Sequence, residues 1–292
     1  MVSPGITQAA PARAAAPETP FLLPVNGLPV YCVHHAAVAG RPDAPVVVHV
    51  HGLGVEQITL YRQEVLAARA AAASGIPVLR YHSRGHGDSA GASADVTLST
   101  LVEDARAVAD EAKRRSGRTR VVWLGVRTGA LVAALAGGPR SDRNDAAGFV
   151  LWEPVAKPAE FFRMQLRTLL FSQVAGGKKP DATVDQLLAR LASEGSLDVF
   201  GYTLQRSLVE SFTGAGLLEA LAGTRAPILL AQVQARAKLA PAHAQLVEGL
   251  QADAKLTTAL VHAEPGYQLM SNPAWQSDEL TRLTVEWLDA LA

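Results

Sequence analysis

Three ionisable side chains that follow apolar runs are the groups in this sequence best suited to chemistry. Arg127 lies between Gly125 and Gly129, Glu153 follows a second run, and His262 ends a third. A guanidinium keeps its proton at ordinary pH, so Arg127 cannot attack a carbonyl, but it can bind a carboxylate or an enolate. An imidazole oriented by a carboxylate is a general base. These residue types indicate proton abstraction beside an anion-binding group.

The elements that must position these side chains alternate between short apolar strands and helices. A hairpin is predicted over 21–33, because Asn26-Gly27 suits a tight turn between two apolar stretches. This alternation predicts an α/β fold with a mostly parallel sheet that helices cover on both faces. The predicted strands are 45–50, 76–81, 120–124, 149–152, 227–232 and 257–261, and the main helices are 61–74, 97–115, one from 128 onward, and 277–291.

The alternation stops for about seventy residues, which is too long for an ordinary connection between two strands. This insertion, 155–225, is largely helical in pattern and is predicted to form a cap between two late strands. The predicted core is therefore divided into 21–154 and 226–292. Residues 1–20 are rich in alanine and proline and are predicted to be a disordered tail.

Four motifs in a fixed order resemble the α/β-hydrolase fold, in particular its serine-aminopeptidase-like members with a helical cap. They are His51-Gly-Leu-Gly, Arg84-Gly-His-Gly-Asp-Ser, the Gly-x-x-x-Gly elbow at 125–129, and a histidine after the last strand. The resemblance spans 21–292 and implies a serine nucleophile at the elbow. Arg127 stands there instead, and 232–238 lacks the carboxylate expected of a catalytic triad. The chain therefore departs from an ordinary serine hydrolase.

The resemblance also implies roles for residues around the elbow. His262 matches the catalytic histidine, and Glu153 matches a displaced acid that would orient it. The oxyanion hole would use the backbone N–H groups of Leu53 and Thr128. Alternatively, Glu153 forms an ion pair with Arg127.

Two further residues near the predicted pocket also leave alternatives open. Glu56 is a second candidate anion for Arg127, and it could instead face the pocket. His51 is either structural or part of the pocket. If Glu56 or Glu153 pairs with Arg127, the arginine is held in an internal salt bridge, and otherwise it is free to bind substrate.

The first functional hypothesis is a lyase that eliminates a small carboxylate, such as acetate, from an anionic natural-product intermediate. The arginine elbow with a downstream Leu-Trp-Glu-Pro-Val is similar to hydrolase-like proteins of exosortase systems. The acetate-eliminating α/β-hydrolase-like enzymes of spirotetronate antibiotic pathways are a second resemblance, of fold and setting. The alternatives are ester or thioester hydrolysis by water that His262 activates, and non-catalytic anion binding.

Composition excludes several other classes of function. The 292 residues carry no net charge, which removes the main electrostatic argument for nucleic acid or an anionic membrane as partner. The single cysteine suits a reducing cytoplasm, and no apolar run is long enough to span a bilayer. The histidines lack metal-ligand spacing, so no metal or other cofactor is expected. We expect a cytoplasmic monomer or homodimer that binds a small anionic molecule.

Overall fold

The computed structural model describes residues 16–38, 41–251, 255–268, 272 and 274–291. Most of the predicted N-terminal tail lies outside these residues, and the first strand begins at Glu18. Ten strands are present in the described chain. They are β1 (Glu18–Val25), β2 (Leu28–His35), β3 (Val46–Val50), β4 (Val78–Tyr81), β5 (Val121–Val126), β6 (Ala146–Trp152), β7 (Ser196–Val199), β8 (Tyr202–Gln205), β9 (Ile228–Gln234) and β10 (Leu256–His262).

Eight of these strands form one sheet in the order β1-β2-β4-β3-β5-β6-β9-β10. The pairs from β4 to β10 are parallel, and β2 is antiparallel to both of its neighbours. The predicted hairpin is present, with Asn26 and Gly27 at φ 49° and 83°. Such left-handed values at both turn residues are those of the tight turn that joins twisted antiparallel strands.

Helices cover both faces of this sheet, which confirms the predicted fold class. The strands β3 and β5 are buried along their whole length, as expected for parallel strands between two helical layers. The helices are α1 (Val55–Ala73), α2 (Leu98–Ser116), α3 (Gly129–Gly137), α4 (Pro158–Ala175), α5 (Val184–Glu194), α6 (Arg206–Thr213), α7 (Leu217–Leu221), α8 (Pro241–Gln251) and α9 (Asp278–Asp289).

The segment between β6 and β9 contains α4 to α7 and a two-stranded hairpin, β7-β8. The hairpin differs from the largely helical pattern predicted for this segment. Phe200 and Gly201 connect the two strands at φ 56° and 82°, so the turn again has two left-handed residues. Each strand has only four residues, too few for the period of two to stand out from a helical pattern. We call α4 to α7 with this hairpin the cap.

Candidate active site

The turn between β5 and α3 places Arg127 at a strained position just after the carboxyl end of a central strand of the sheet. Arg127 has φ 55°, a left-handed value that is uncommon for a residue with a side chain. A Cβ atom at Gly129 would collide with the carbonyl groups of Val50 and His51, so the turn can close only with glycine there. The elbow geometry is therefore retained, with arginine in place of a nucleophile.

The Arg127 guanidinium is held by two carboxyl-bearing residues rather than left open to a ligand. Its Nε donates to Glu56 Oε1 at 3.0 Å, and its Nη2 lies 2.9 Å from the same oxygen. Its Nη1 donates to the backbone carbonyl of Glu153 at 2.9 Å and lies 4.0 Å from Glu153 Oε2. All three side chains are buried. Burial lowers the pKa of Arg127, but Glu56, Tyr267 and Glu153 together outweigh burial and raise the pKa above its usual value, so the arginine stays charged.

Glu153 is oriented by β9 rather than by His262. Its Oε1 accepts a hydrogen bond from the Val233 backbone N–H, and Tyr267, in the turn after β10, lowers the pKa of its carboxyl. Burial raises the pKa of Glu153, while the charge of Arg127 opposes that shift. Of the two predicted partners of Glu153, the structure therefore has Arg127 and not His262.

The predicted Glu153–His262 pair is wrong. The His262 side chain is exposed and forms no hydrogen bond or ion pair with any residue that the structure describes. The physical reason is strand alternation: Val261 is fully buried in β10, so the next side chain points to the opposite face.

Tyr267 occupies the position over the elbow that the prediction gave to His262. It lies in a short 3₁₀ turn after β10, is 1% exposed, and its ring centroid is 5.7 Å from Arg127 Cζ. Burial raises its pKa, so its hydroxyl stays protonated. His243 of α8 also belongs to this site, although no motif indicated it, and its Nε2 is 3.8 Å from Glu153 Oε2. Burial, with Arg127 nearby, lowers the pKa of His243 to about 4, so it is neutral at neutral pH.

The predicted oxyanion donor at Leu53 is already engaged. Its backbone N–H donates to the Thr128 hydroxyl at 3.1 Å, so it does not face a ligand. His51 is a structural link between two loops, which is one of its two predicted alternatives. Its Nε2 accepts from the Ser83 N–H at 3.0 Å, so its Nδ1 carries the proton and donates to the Gly52 carbonyl at 2.6 Å. Burial lowers the pKa of His51 to about 3.

A cavity of about 260 Å³ lies between the cap and the core, and Arg127 does not line it. Phe161 forms part of its wall and also lies against the guanidinium, 5.9 Å from Arg127 Cζ to the ring centroid. Most of the lining is apolar. It comprises Leu53, Gly54, Val55, Gly85, His86, Ser93, Val96, Phe161, Phe162, Gln165, Val199, Gly201, Tyr202, Thr203, Leu204 and Leu208.

His86 supplies the cavity with a nitrogen that can accept a proton. It is 8% exposed, and its Nδ1 lies 3.1 Å from the Arg84 carbonyl, which accepts only if Nδ1 carries the proton. Its Nε2 then has a free lone pair and no hydrogen-bond partner among the described residues. Burial lowers the pKa of His86, which keeps it neutral at neutral pH. Tyr202 lies beside it, with ring centroids 6.5 Å apart.

The loop that carries His86 is held rigidly by a buried ion pair. Arg84 donates from its backbone N–H and its guanidinium to Asp104 of α2, with Nη2 2.6 Å from Oδ1. Asp104 is fully buried. This fixes the carbonyl that orients the imidazole.

The start of α1 lines another part of the same cavity. Gly54 precedes this nineteen-residue helix at φ 62°, and no side chain caps the helix N-terminus. The first-turn N–H groups of a helix carry partial positive charge and lack partners within the helix. The N–H of Gln57 donates to the Gly54 carbonyl at 3.1 Å, so those of Val55 and Glu56 are the donors that can stabilise negative charge on an oxygen in the cavity.

Comparison with known families decides where this chain belongs. The model of the serine aminopeptidase S33 family, Hydrolase_4, matches residues 41–265, which include the elbow, Glu153 and His86. The chain is a member of this family. The elbow of this S33 family protein carries Arg127 where the family pattern has the nucleophilic serine. No curated protein matches the chain.

Solved structures similar to this S33 family protein include several hydrolases of the same fold. Est1E from Butyrivibrio proteoclasticus, solved with ferulic acid bound, is 20% identical, with a TM-score of 0.66 over 92% of this chain and 96% of that one. An esterase from Pyrococcus furiosus is 14% identical, with a TM-score of 0.63 over 98% and 95%. Proline iminopeptidase from Mycobacterium smegmatis is 15% identical, with a TM-score of 0.60 over 94% and 98%. At these identities the likeness establishes the fold.

Two absences hold for the residues that the structure describes. They include no group of three histidine, cysteine or carboxylate side chains arranged to hold a metal ion. None of their helices is long and apolar enough to cross a membrane.

Proposed function

We propose that this S33 family protein hydrolyses a small neutral ester by direct attack of water in the cavity under the cap. The observation that carries the proposal is the buried His86, which lines the cavity and whose Nε2 has no hydrogen-bond partner among the described residues. The start of α1, which no side chain caps, lines the same cavity. A base and a cluster of hydrogen-bond donors on one cavity are the two requirements of non-covalent acyl transfer.

The reaction can be followed atom by atom. The ester carbonyl oxygen accepts from the first-turn N–H groups of α1, and His86 Nε2 takes a proton from water as the water oxygen attacks the carbonyl carbon. When the tetrahedral intermediate collapses, the imidazolium returns that proton to the leaving alkoxide. Tyr202, whose pKa is raised by burial, remains a phenol that can donate a hydrogen bond to the same alkoxide. The products are the acid, the alcohol and the unchanged protein.

The cavity lining supports a neutral and largely apolar substrate. None of the described lining residues is arginine, lysine, aspartate or glutamate. A permanently charged substrate would therefore lose its hydration without gaining a counter-ion, which is unfavourable. Est1E was solved with ferulic acid bound, so the methyl ester of that acid is a suitable first probe.

The same lining argues against elimination from an anionic intermediate. That mechanism needs Arg127 to hold the anion, but Glu56 and the backbone of Glu153 already occupy its guanidinium. It also needs His262, which is exposed to solvent. An elimination would have to use His86 as its base and to act on a neutral compound.

Binding without turnover is a second candidate function, favoured by the absence of a serine nucleophile and of a free oxyanion donor at Leu53. The elbow carries no nucleophile, and the Leu53 N–H is engaged by Thr128. In this case the cavity would hold the same class of ligand, and Nε2 of His86 would accept a hydrogen bond from it without taking a proton.

We expect the protein to convert methyl ferulate to ferulate in water enriched with heavy oxygen, with the label in the carboxylate. An acetylated tetronate and an acetylated β-dicarbonyl, assayed beside it, should release little acetate. Mass spectrometry of the products separates the alternatives: unlabelled acetate with an alkene would indicate elimination. Saturable binding of methyl ferulate by calorimetry with no product would indicate a binding protein, and either result would overturn the proposal.

A further inference from the structure

The outer face of α4 exposes large apolar side chains. Met164, Phe171 and Val174 are 43%, 72% and 55% exposed, the last two among the most exposed large hydrophobic residues of the described chain. At 100° per residue these positions fall on one side of the helix, together with Arg167. We call this set of four residues the α4 outer face.

Basic residues lie on this face and follow the C-terminus of α4, although the whole chain is neutral. Between Pro158 and Pro180 the sequence has four basic residues and one acidic residue. Three of the basic residues, Arg167, Lys178 and Lys179, are exposed and form no ion pair with any described residue. This segment therefore carries net positive charge in a chain that is neutral overall, and the next acidic residue along the chain is Asp181.

The opposite side of α4 forms part of the cavity. Phe161, Phe162 and Gln165 line it, and Leu166 is fully buried in the cap. One helix thus presents apolar surface to solvent on one side and to the cavity on the other. An apolar molecule held at the outer face would lie within one helix diameter of the cavity, about 10 Å.

We propose that the α4 outer face docks on an anionic membrane surface, with Phe171 and Val174 in the interface and Arg167, Lys178 and Lys179 at the headgroups. Apolar residues flanked by lysine and arginine are the composition of helices that lie in the plane of a membrane. Contact with a second copy is disfavoured, because a two-fold interface on this face would bring like-charged patches together. The proposal does not depend on what happens in the cavity.

Co-sedimentation of the full chain with lipid vesicles tests the proposal. We expect binding to vesicles of phosphatidylcholine with about one-quarter phosphatidylglycerol, and much weaker binding to phosphatidylcholine alone. The double variant Phe171→Ser, Val174→Ser should lower the partition coefficient roughly tenfold or more through the loss of buried apolar surface. Lys178→Glu with Lys179→Glu should lower it by a similar factor and remove the dependence on phosphatidylglycerol.

Leu22→Ser is the matched control, because Leu22 is 58% exposed on β1, outside the cap. It should leave vesicle binding unchanged, and circular dichroism should confirm that every variant is folded. Failure of the wild type to bind anionic vesicles would overturn the proposal, as would equal binding by the Phe171→Ser, Val174→Ser variant. Self-association in analytical ultracentrifugation that this double variant abolishes, without vesicle binding, would assign the face to a second copy instead.

Discussion

Replacing Arg127 with methionine is expected to lower the free energy of unfolding by about 3–5 kcal/mol at neutral pH. The substitution leaves the buried carboxylates of Glu56 and Glu153 without the cation that both now contact. Chemical denaturation followed by tryptophan fluorescence measures the loss. Arg163→Met is the control: its ion pair with Asp185 is exposed, so the change should stay below about 1 kcal/mol.

The loss in Arg127→Met should depend on pH in a defined direction. Burial already raises the pKa of Glu153, and the charge of Arg127 opposes that shift. Without the arginine, the pKa in the folded state rises further above its value in the unfolded state. A carboxyl whose pKa is higher in the folded state destabilises the fold when it is ionised. The loss of unfolding free energy in Arg127→Met relative to wild type should therefore shrink as the pH falls towards 4.5 and grow as the pH rises above it. A deficit independent of pH, or one below 1 kcal/mol, would show that the elbow ion pairs are not what stabilises this site.

Replacing His86 with asparagine is expected to reduce kcat/KM for methyl ferulate by roughly a hundredfold to ten-thousandfold. The asparagine amide can still donate to the Arg84 carbonyl, as Nδ1 of the imidazole does, but it cannot accept a proton. The change therefore removes the proposed base and keeps the loop contact. Steady-state rates measured with the purified variant give the ratio directly.

The pH profile distinguishes a base from a structural residue in this experiment. Burial lowers the pKa of His86, so wild-type kcat/KM should fall only when the pH drops through a value below about 6.5. His86→Asn should lose this acid limb along with the rate. His262→Asn is the matched control and should change neither, because that side chain is exposed and has no partner in the described chain. If His262→Asn caused the larger loss, the base would be at the end of β10 after all.

The fold could be predicted from the sequence because its signals are local. Apolar runs such as 45–50 and the Asn26-Gly27 turn specify strands and a hairpin without knowledge of distant residues. The hairpin in the cap could not be predicted from the sequence. Each of its strands has only four residues, and Leu197 and Leu204 fit a helical pattern equally well. Only packing against the rest of the cap decides between them.

The elbow could be predicted in part. Arg127 and its two candidate anions, Glu56 and Glu153, follow from residue type and position, and both contacts are present. The direction of a side chain at the end of a strand cannot be predicted from residue type and position. The sequence therefore predicts His262 beside Glu153, whereas Tyr267, five residues further along the chain, lies there in the structure. A short turn after β10, opening with Pro265-Gly266, was the available signal.

The cavity was beyond sequence reasoning. His86 and Tyr202 are more than one hundred residues apart and belong to different parts of the fold, so their proximity depends on how the cap sits on the core. The engagement of the Leu53 N–H by the Thr128 hydroxyl is equally inaccessible, because it depends on one hydrogen bond between two loops. Motif matching alone would have left that donor free.

The most direct test of whether chemistry occurs in the cavity, rather than at the elbow, is kcat/KM of Arg127→Met for methyl ferulate. It should be measured at a temperature well below the unfolding transition of the variant, so that instability does not affect the rate. Because Arg127 does not line the cavity, we expect a value within about threefold of wild type. A loss as large as that of His86→Asn would contradict the account and return the reaction to the elbow.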